Sequence, residues 1–226
     1  RVVATSAARD AANSAEFFEG ARLRLGVEAE IISGEQEALL SFAGATAALP
    51  ELVQPVLVMD IGGGSTELIL GSEGRLDSAI SINVGSVRVR ERFLHSDPPT
   101  AAEIAEASAC IDELLDGSGI DFSAPATWVG VGGTVTSLSA LVQGLPVYDR
   151  AAVHRSRLGR EELFAFASEL LAMPIARVAE FPTMVPGRAD VICAGALVCE
   201  RIGQRLAGDL IVSEADILDG LVRGLV

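Results

Sequence analysis

One stretch constrains this chain more than any other: Val58-Met59-Asp60-Ile61-Gly62-Gly63-Gly64-Ser65-Thr66-Glu67-Leu68-Ile69-Leu70. Apolar, largely β-branched residues flank a triple glycine, which reads as a buried strand, a tight turn and a second strand pairing back on the first. Glycines admit positive φ and bring bare backbone N–H groups close to a ligand, and successive N–H groups in such a turn form a concave cradle for an anion. Ser65 and Thr66 add hydroxyl donors. Asp60 enters the turn and Glu67 leaves it, so two carboxylates lie beside the same anion. They repel it unless a hard cation sits between, which implies a phosphate carried with Mg²⁺ or a similar ion. The same residues also fit a plain hairpin whose Asp60 does no more than cap the backbone.

Composition narrows the function. All 17 basic residues are arginine, and the net charge is -14. With no lysine, a Walker A phosphate loop, a Schiff base and a lysine general base are excluded. So strong an acidic balance argues against a nucleic-acid surface, which needs clustered cations, so any anionic ligand has to be captured locally. No apolar run reaches the length that crosses a bilayer. Cys110, Cys193 and Cys199 lie in apolar helical surroundings without C-x-x-C spacing, as expected of reduced core thiols in a cytoplasmic protein. His95 and His154 are isolated in sequence and read as surface residues. A length of 226 residues, half of them apolar, allows one large or two small domains. The start at Arg1, without an initiator Met and directly in a β-like run, implies that the N-terminal part of a longer protein precedes it.

Along the chain, a strand over 1–5 is followed by a helix over 11–25 whose Phe17, Ala21 and Leu25 recur on one face. A strand over 27–32 then leads through Ser33-Gly34 into a helix from Glu35 to about Ala48. Residues 52–55 form a hinge. After the glycine hairpin a further strand is expected near 79–83, and 87–93 fits a strand or a helix equally. Thr100 and Glu103 form a capping-box signature for a helix to about Leu115. Thr127-Trp128-Val129-Gly130-Val131-Gly132-Gly133-Thr134-Val135 reads as a strand, a glycine turn and a helix start. It is a second anion cradle, because a helix N-terminus offers unpaired N–H groups and the positive end of its dipole, although a simple strand-to-helix connection explains it too. A helix over 161–172, a long apolar helix opened by Gly187-Arg188-Ala189-Asp190, a strand over 210–212 and a helix over 217–225 complete an α/β plan. Neither turn carries the third glycine of a dinucleotide-binding fingerprint.

Five stretches carry a family resemblance: Ala4-Thr5-Ser6-Ala7-Ala8-Arg9-Asp10-Ala11-Ala12-Asn13, Ile32-Ser33-Gly34-Glu35-Gln36-Glu37-Ala38, Asp60 to Leu68, Gly130 to Leu138, and Arg188-Ala189-Asp190. In this order they resemble the exopolyphosphatase and guanosine pentaphosphate phosphohydrolase (Ppx/GppA) family of the actin, sugar kinase and Hsp70 superfold. The resemblance implies an α/β fold of two ribonuclease-H-like (actin-like ATPase) lobes with the active site between them. Residues 1–53 would be the later part of the first lobe and 54–226 the second. The family's opening strand and D-x-G-S/T-N phosphate loop have no match here, which leaves the first lobe incomplete in this chain. Gln36 stands where relatives often carry Glu.

The resemblance further implies removal of a terminal phosphate from inorganic polyphosphate, pppGpp or both. Its transition state spreads charge over the equatorial oxygens, so positioning and electrostatics dominate. Glu37 would activate the attacking water, with Glu35 as the fallback; the bland role for Glu37 is a solvated glutamate favoured by the helix dipole. Asp60 and Glu67 would hold Mg²⁺. Gly62, Gly63, Gly64 and Ser65 would bind phosphate oxygens, and Arg9 would pair with a phosphate unless it bridges to Asp10 or Glu16. Gly132, Gly133 and Thr134 would form the opposite loop. Arg188 would contact a distal phosphate or a guanine-type base, or else cap a helix or form an interlobe salt bridge. Arg88, Arg90 and Arg92 read as a solvated face, although one of them could extend a track for a long polyanion. The superfold also hosts ATP-dependent kinases, and a polyphosphate or (p)ppGpp sensor without turnover is the non-enzyme alternative. A homodimer is expected from the family.

Overall fold

The computed structural model describes residues 2–4, 14–49 and 51–224. Arg9, the start of the helix expected from residue 11, and the end of the tail helix lie outside the described residues. The described chain begins with β1 (Val2–Ala4), α1 (Ser14–Leu25) and β2 (Ala29–Ile31), and β1 pairs β2 in parallel. The apolar stripe of α1 is present, but Phe17 and Leu25 are 53% and 61% exposed. Periodicity predicted the helix and not its burial.

The larger sheet has six strands, β3 (Val56–Ile61), β4 (Thr66–Ser72), β5 (Arg75–Ile82), β6 (Thr127–Val131), β7 (Arg157–Leu158) and β8 (Leu210–Val212), in the order β5-β4-β3-β6-β8-β7. β3, β6 and β8 run parallel; β4, β5 and β7 are antiparallel to their neighbours. Because successive side chains in a strand point to opposite faces, β3 divides its residues between two cores. Leu57, Met59 and Ile61 pack on one side with Ile111, Leu138 and Leu197, whereas Val56 and Val58 pack on the other with Phe42, Ala45 and Val129. Asp60 is therefore on the second side. Glu67 is its direct cross-strand partner and shares that face, as Ile69 does two residues on.

The second face is covered by α2 (Gly34–Ala47). Ser33 and Gln36 form a reciprocal capping box at its start, so Gln36 serves the helix backbone and leaves Glu37 in the first turn. Against α2 lies α10 (Ile217–Arg223). A Cβ added at Gly44 would come within 1.9 Å of the Asp216 carbonyl, and one at Gly220 within 1.9 Å of the Leu40 carbonyl. The two helices thus meet backbone to backbone, which only glycine permits. This crossing carries Asp216, the N-cap of α10, toward the end of β3.

The other face carries α3 (Ser86–Phe93), α4 (Ala101–Asp116), α5 (Gly132–Val142), α6 (Arg150–Val153), α7 (Arg160–Ala172), α8 (Ile175–Val178) and α9 (Ile192–Gly203). Residues 87–93 are helical: only Ser86 and Val89 of α3 are buried, a helical spacing that alternation along a strand would not produce. The Thr100–Glu103 capping box is formed. The third strand is longer than expected because Arg75 to Ser78 continue the hairpin at the sheet edge, where alternate residues are exposed. The apolar helix opens at Ile192 and not at Gly187, whose φ of 78° places it in a turn. His154 is half-buried and accepts a hydrogen bond at Nδ1 from the Glu214 amide, which corrects its reading as a surface residue. Cys193 and Cys199 are buried, and burial pushes the Cys199 thiol up to about 12. Among the described residues no helix is long and apolar enough to cross a membrane.

Candidate active site

The site is built on the ends of β3 and β6, where two glycine turns lie side by side. In the first, the Gly62 amide donates to the Ser65 carbonyl (3.0 Å) and closes the hairpin. The Gly62 carbonyl accepts from the Ser86 amide (2.9 Å) and the Gly63 carbonyl from the Arg88 amide (3.0 Å), so the start of α3 holds the turn from one side. Among the described residues, the amides of Gly63, Gly64 and Ser65 donate to no protein acceptor. These three N–H groups are the anion-binding capacity of the turn.

The second turn is more heavily engaged with the protein. Gly132 has φ 79°, and a Cβ there would fall 2.3 Å from Asp60 Oδ1, so the Asp60 carboxylate lies against the first residue of α5. A carboxylate at a helix N-terminus is favoured by the dipole. Thr134 is buried and its hydroxyl donates to the Ile61 carbonyl (2.8 Å), tying α5 to β3. Arg188 donates from Nη1 to the Gly133 carbonyl (2.9 Å) and to Ser137 Oγ (2.6 Å). A Cβ on Gly133 would meet the Arg188 guanidinium at 2.6 Å. Arg188 is thus held over the first turn of α5 by neutral groups, and none of these contacts is a salt bridge.

Three further carboxylates lie close enough to Asp60 to act on its charge. Burial, together with Glu67, Asp216 and Glu37 in that order, pushes the Asp60 carboxyl up to about 6. Glu67 accepts at Oε1 from Ser65 Oγ (2.8 Å) and Ser81 Oγ (2.7 Å), which fixes its orientation on the outer strands. Glu37 and Glu67 line a cavity of about 470 Å³ with Glu35, Asp77 and Ser81, between α2 and the β4–β5 hairpin. Neither Asp60 nor the glycines of the two turns line it.

The donor set fits a hard divalent cation. Among the described residues, no three histidine, cysteine or carboxylate groups converge to cage a metal. Mg²⁺ characteristically takes one or two carboxylates and completes its shell with water and phosphate oxygens. Asp60 and Glu67, on one face of one hairpin, offer that partial shell, and the like charges that disfavour ionised Asp60 are the charges a cation would offset.

Two contacts of this arrangement were not anticipated from sequence. Asp216 caps α10, accepting from the Leu218 amide (2.8 Å), and the pattern of an Asp before an apolar run signals only that cap. Arg88 is exposed, as the solvated-face reading expects, and its Nε also donates to the Gly64 carbonyl (2.7 Å), which ties it to the glycine turn. Its neighbour Arg90 donates from Nη1 to the Ser96 carbonyl (2.9 Å), away from the turn.

Comparison with known proteins gives a consistent result. The model of the Ppx/GppA phosphatase family matches residues 1–223. Exopolyphosphatase 2 of Mycobacterium tuberculosis is 44% identical over 238 residues, covering 100% of this chain and 74% of its own length. The bifunctional 3-dehydroquinate synthase/phosphatase of Fusobacterium nucleatum is 31% identical over 230 residues, with 97% of this chain matching 33% of that longer protein. Among solved structures, an exopolyphosphatase-like protein overlays with a TM-score of 0.91 at 40% identity, covering 100% of this chain and 78% of that one. The Ppx/GppA family member of Aquifex aeolicus overlays at 0.89 with 31% identity, covering 99% and 72%. The mixed six-stranded sheet and these overlays give the chain the α/β, ribonuclease-H-like architecture of the actin-like ATPase group.

Proposed function

The chain belongs to the Ppx/GppA phosphatase family, and from that premise we propose that it releases the terminal phosphate of inorganic polyphosphate by attack of a water that Glu37 activates. The observation that carries the reading is the pairing of three uncommitted amides at Gly63, Gly64 and Ser65 with the Asp60–Glu67 carboxylate pair on the same hairpin. The amides hold phosphoryl oxygens where charge develops in the transition state. Mg²⁺, bound by Asp60 and Glu67, would neutralise the phosphate chain beside them. Glu37 lies across from Glu67 in a cavity with room for water, and a positioned carboxylate base contributes roughly 10²- to 10⁴-fold in rate.

Residues 1–53 and 54–226 are taken as parts of two lobes, with Arg9 of the first supplying a guanidinium to the phosphate chain. Gly132 and Gly133 would present the start of α5 to the far end of the substrate. Arg188, held on Gly133 and Ser137, would orient that loop. pppGpp ends in the same phosphoanhydride and is the second substrate to test. The buried thiols of Cys193 and Cys199 fit a reducing compartment, the cytoplasm. A homodimer is checked by sedimentation.

The deciding experiment measures phosphate release from long-chain polyphosphate and from pppGpp with Mg²⁺, for the parent protein and Glu37→Gln. The reading expects turnover by the parent and a loss of about 10² or more in kcat, with substrate binding kept, in the variant. Binding without release by the parent would make the protein a sensor. Transfer of phosphate from ATP to a sugar or acetate would make it a kinase.

A further inference from the structure

The triple-glycine turn is held in a particular orientation, and α3 does the holding. The Gly62 carbonyl accepts from the Ser86 amide, the Gly63 carbonyl from the Arg88 amide and the Gly64 carbonyl from Arg88 Nε. A Cβ on Gly85, just before α3, would meet the Gly63 carbonyl oxygen at 2.6 Å, so the helix start is pressed against the turn. In a trans peptide the C=O of one residue and the N–H of the next point in opposite directions across a plane. Fixing the carbonyls of Gly62, Gly63 and Gly64 on the α3 side therefore turns the amides of Gly63, Gly64 and Ser65 away from it, as one set.

Arg88 supplies two of these three anchors. Only its Nε is taken up by the turn. Its Nη2 lies 3.5 Å from the position a Gly64 side chain would occupy, so the charged end of the group sits against the tip of the loop. Acidic residues outnumber basic ones 31 to 17 in this chain. Even so, the carboxylate ion pairs among the described residues engage Arg22, Arg150, Arg177, Arg201 and Arg205, and not Arg88. Its outer nitrogens therefore lie at the tip of the loop, on the carbonyl side of the turn, where a guanidinium can recognise bidentately a phosphate that extends past the tip from the amide side.

We propose that Arg88 is the fixed cation of this phosphate turn: through Nε it orients the Gly64–Ser65 peptide, and through its Nη groups it binds the phosphate next to the one held by the amides. The assignment rests on the phosphate-turn reading given above. It adds a positive charge at the tip of the turn, on the α3 side, whereas Asp60 and Glu67 lie on the opposite face of the sheet.

The test compares the full-length parent with Arg88→Met and Arg88→Lys. Steady-state phosphate release from polyphosphate with Mg²⁺ is followed across a range of salt concentrations, with calorimetric binding of tripolyphosphate and thermal unfolding in parallel. For Arg88→Met the expected result is a KM and a tripolyphosphate Kd raised about tenfold or more, a shallower dependence of KM on salt, and an unfolding midpoint close to the parent's. Lysine should recover most of the affinity because it restores the charge.

A methionine variant with parental KM and Kd overturns the proposal while leaving the hydrolase reading intact. So does one that loses stability and kcat with KM unchanged, since Arg88 would then be a structural brace alone. If the parent releases no phosphate but binds tripolyphosphate, the hydrolase reading fails, and the Kd comparison still decides Arg88. If the parent neither releases phosphate nor binds tripolyphosphate, both fall.

Discussion

The two glycine turns look alike in sequence, Ile61-Gly62-Gly63-Gly64-Ser65-Thr66 and Val131-Gly132-Gly133-Thr134, yet they carry opposite loads. The first is held through its carbonyls by α3 and keeps three amides open. The second is filled: Asp60 lies on Gly132, Arg188 on Gly133, and the Thr134 hydroxyl is bonded to Ile61. In the first turn a Cβ on Gly62, Gly63 or Gly64 would meet its nearest neighbours at 3.2–3.5 Å, so on the proposed reading glycine there serves an approaching anion. In the second, glycine is required for what the protein has already placed there. The distinction is invisible in a motif, because it depends on which neighbours occupy the space a Cβ would take.

The comparison breaks most clearly at Gly132. Alanine there must adopt a left-handed φ of 79° and place its Cβ 2.3 Å from Asp60 Oδ1. A loss of about 3 kcal/mol, roughly 10 °C in unfolding midpoint, is expected. Gly64→Ala meets only the flexible end of Arg88 at 3.5 Å. It should leave stability within about 0.5 kcal/mol while lowering phosphate release. Equal losses of stability in the two variants would erase the distinction between the turns.

The next effect is at Asp60, which joins the turns. Its carboxyl is raised to about 6 by burial and by Glu67, Asp216 and Glu37. Between the ordinary carboxylate value and about 6 the folded chain keeps a proton that the unfolded chain has released. Stability therefore falls as pH rises through that window, and the whole penalty is present at pH 7. Asp60→Asn should raise the metal-free unfolding free energy at pH 7.5, by something on the order of 2 kcal/mol, and change it little near pH 4. The same variant should lose polyphosphate hydrolysis. A midpoint lowered at pH 7.5 would show that the ionised carboxylate is held favourably without a cation.

Thr134→Val should have the smallest effect on substrate handling. The isosteric change leaves the Ile61 carbonyl without its hydroxyl donor, a loss of about 1–2 kcal/mol by chemical denaturation. KM for polyphosphate should stay near the parent's if Thr134 works only as the tie between α5 and β3. A KM raised severalfold at unchanged stability would move Thr134 into the binding site and make the two turns alike after all.

Much of this was legible before any coordinates, and the helix ends show why. The Ser33–Gln36 and Thr100–Glu103 caps need only residues three apart, so their geometry is set locally. Residues 87–93 stayed ambiguous because an alternating Val-Arg pattern fits either period, and burial of Val89 beneath the sheet decided for a helix. The contact of Arg88 with Gly64 escaped for a related reason. A run of arginines signals solvent exposure, and only the return of the chain from β5 sets this one against Gly64.

By itself, the sequence determined the hairpin. Apolar β-branched runs around a triple glycine dictate two paired strands, and pairing across so short a turn makes Asp60 and Glu67 neighbours on one face. Tertiary structure alone decided what else faces that pair. Asp216 arrives from the far end of the chain because α10 can approach α2 to backbone contact at Gly44 and Gly220. Glu37 arrives because α2 covers the face to which the even-numbered residues of β3 point. Register across a short turn is a local consequence of hydrogen bonding. The meeting of distant carboxylates depends on how whole layers pack, and no short window of residues carries that information.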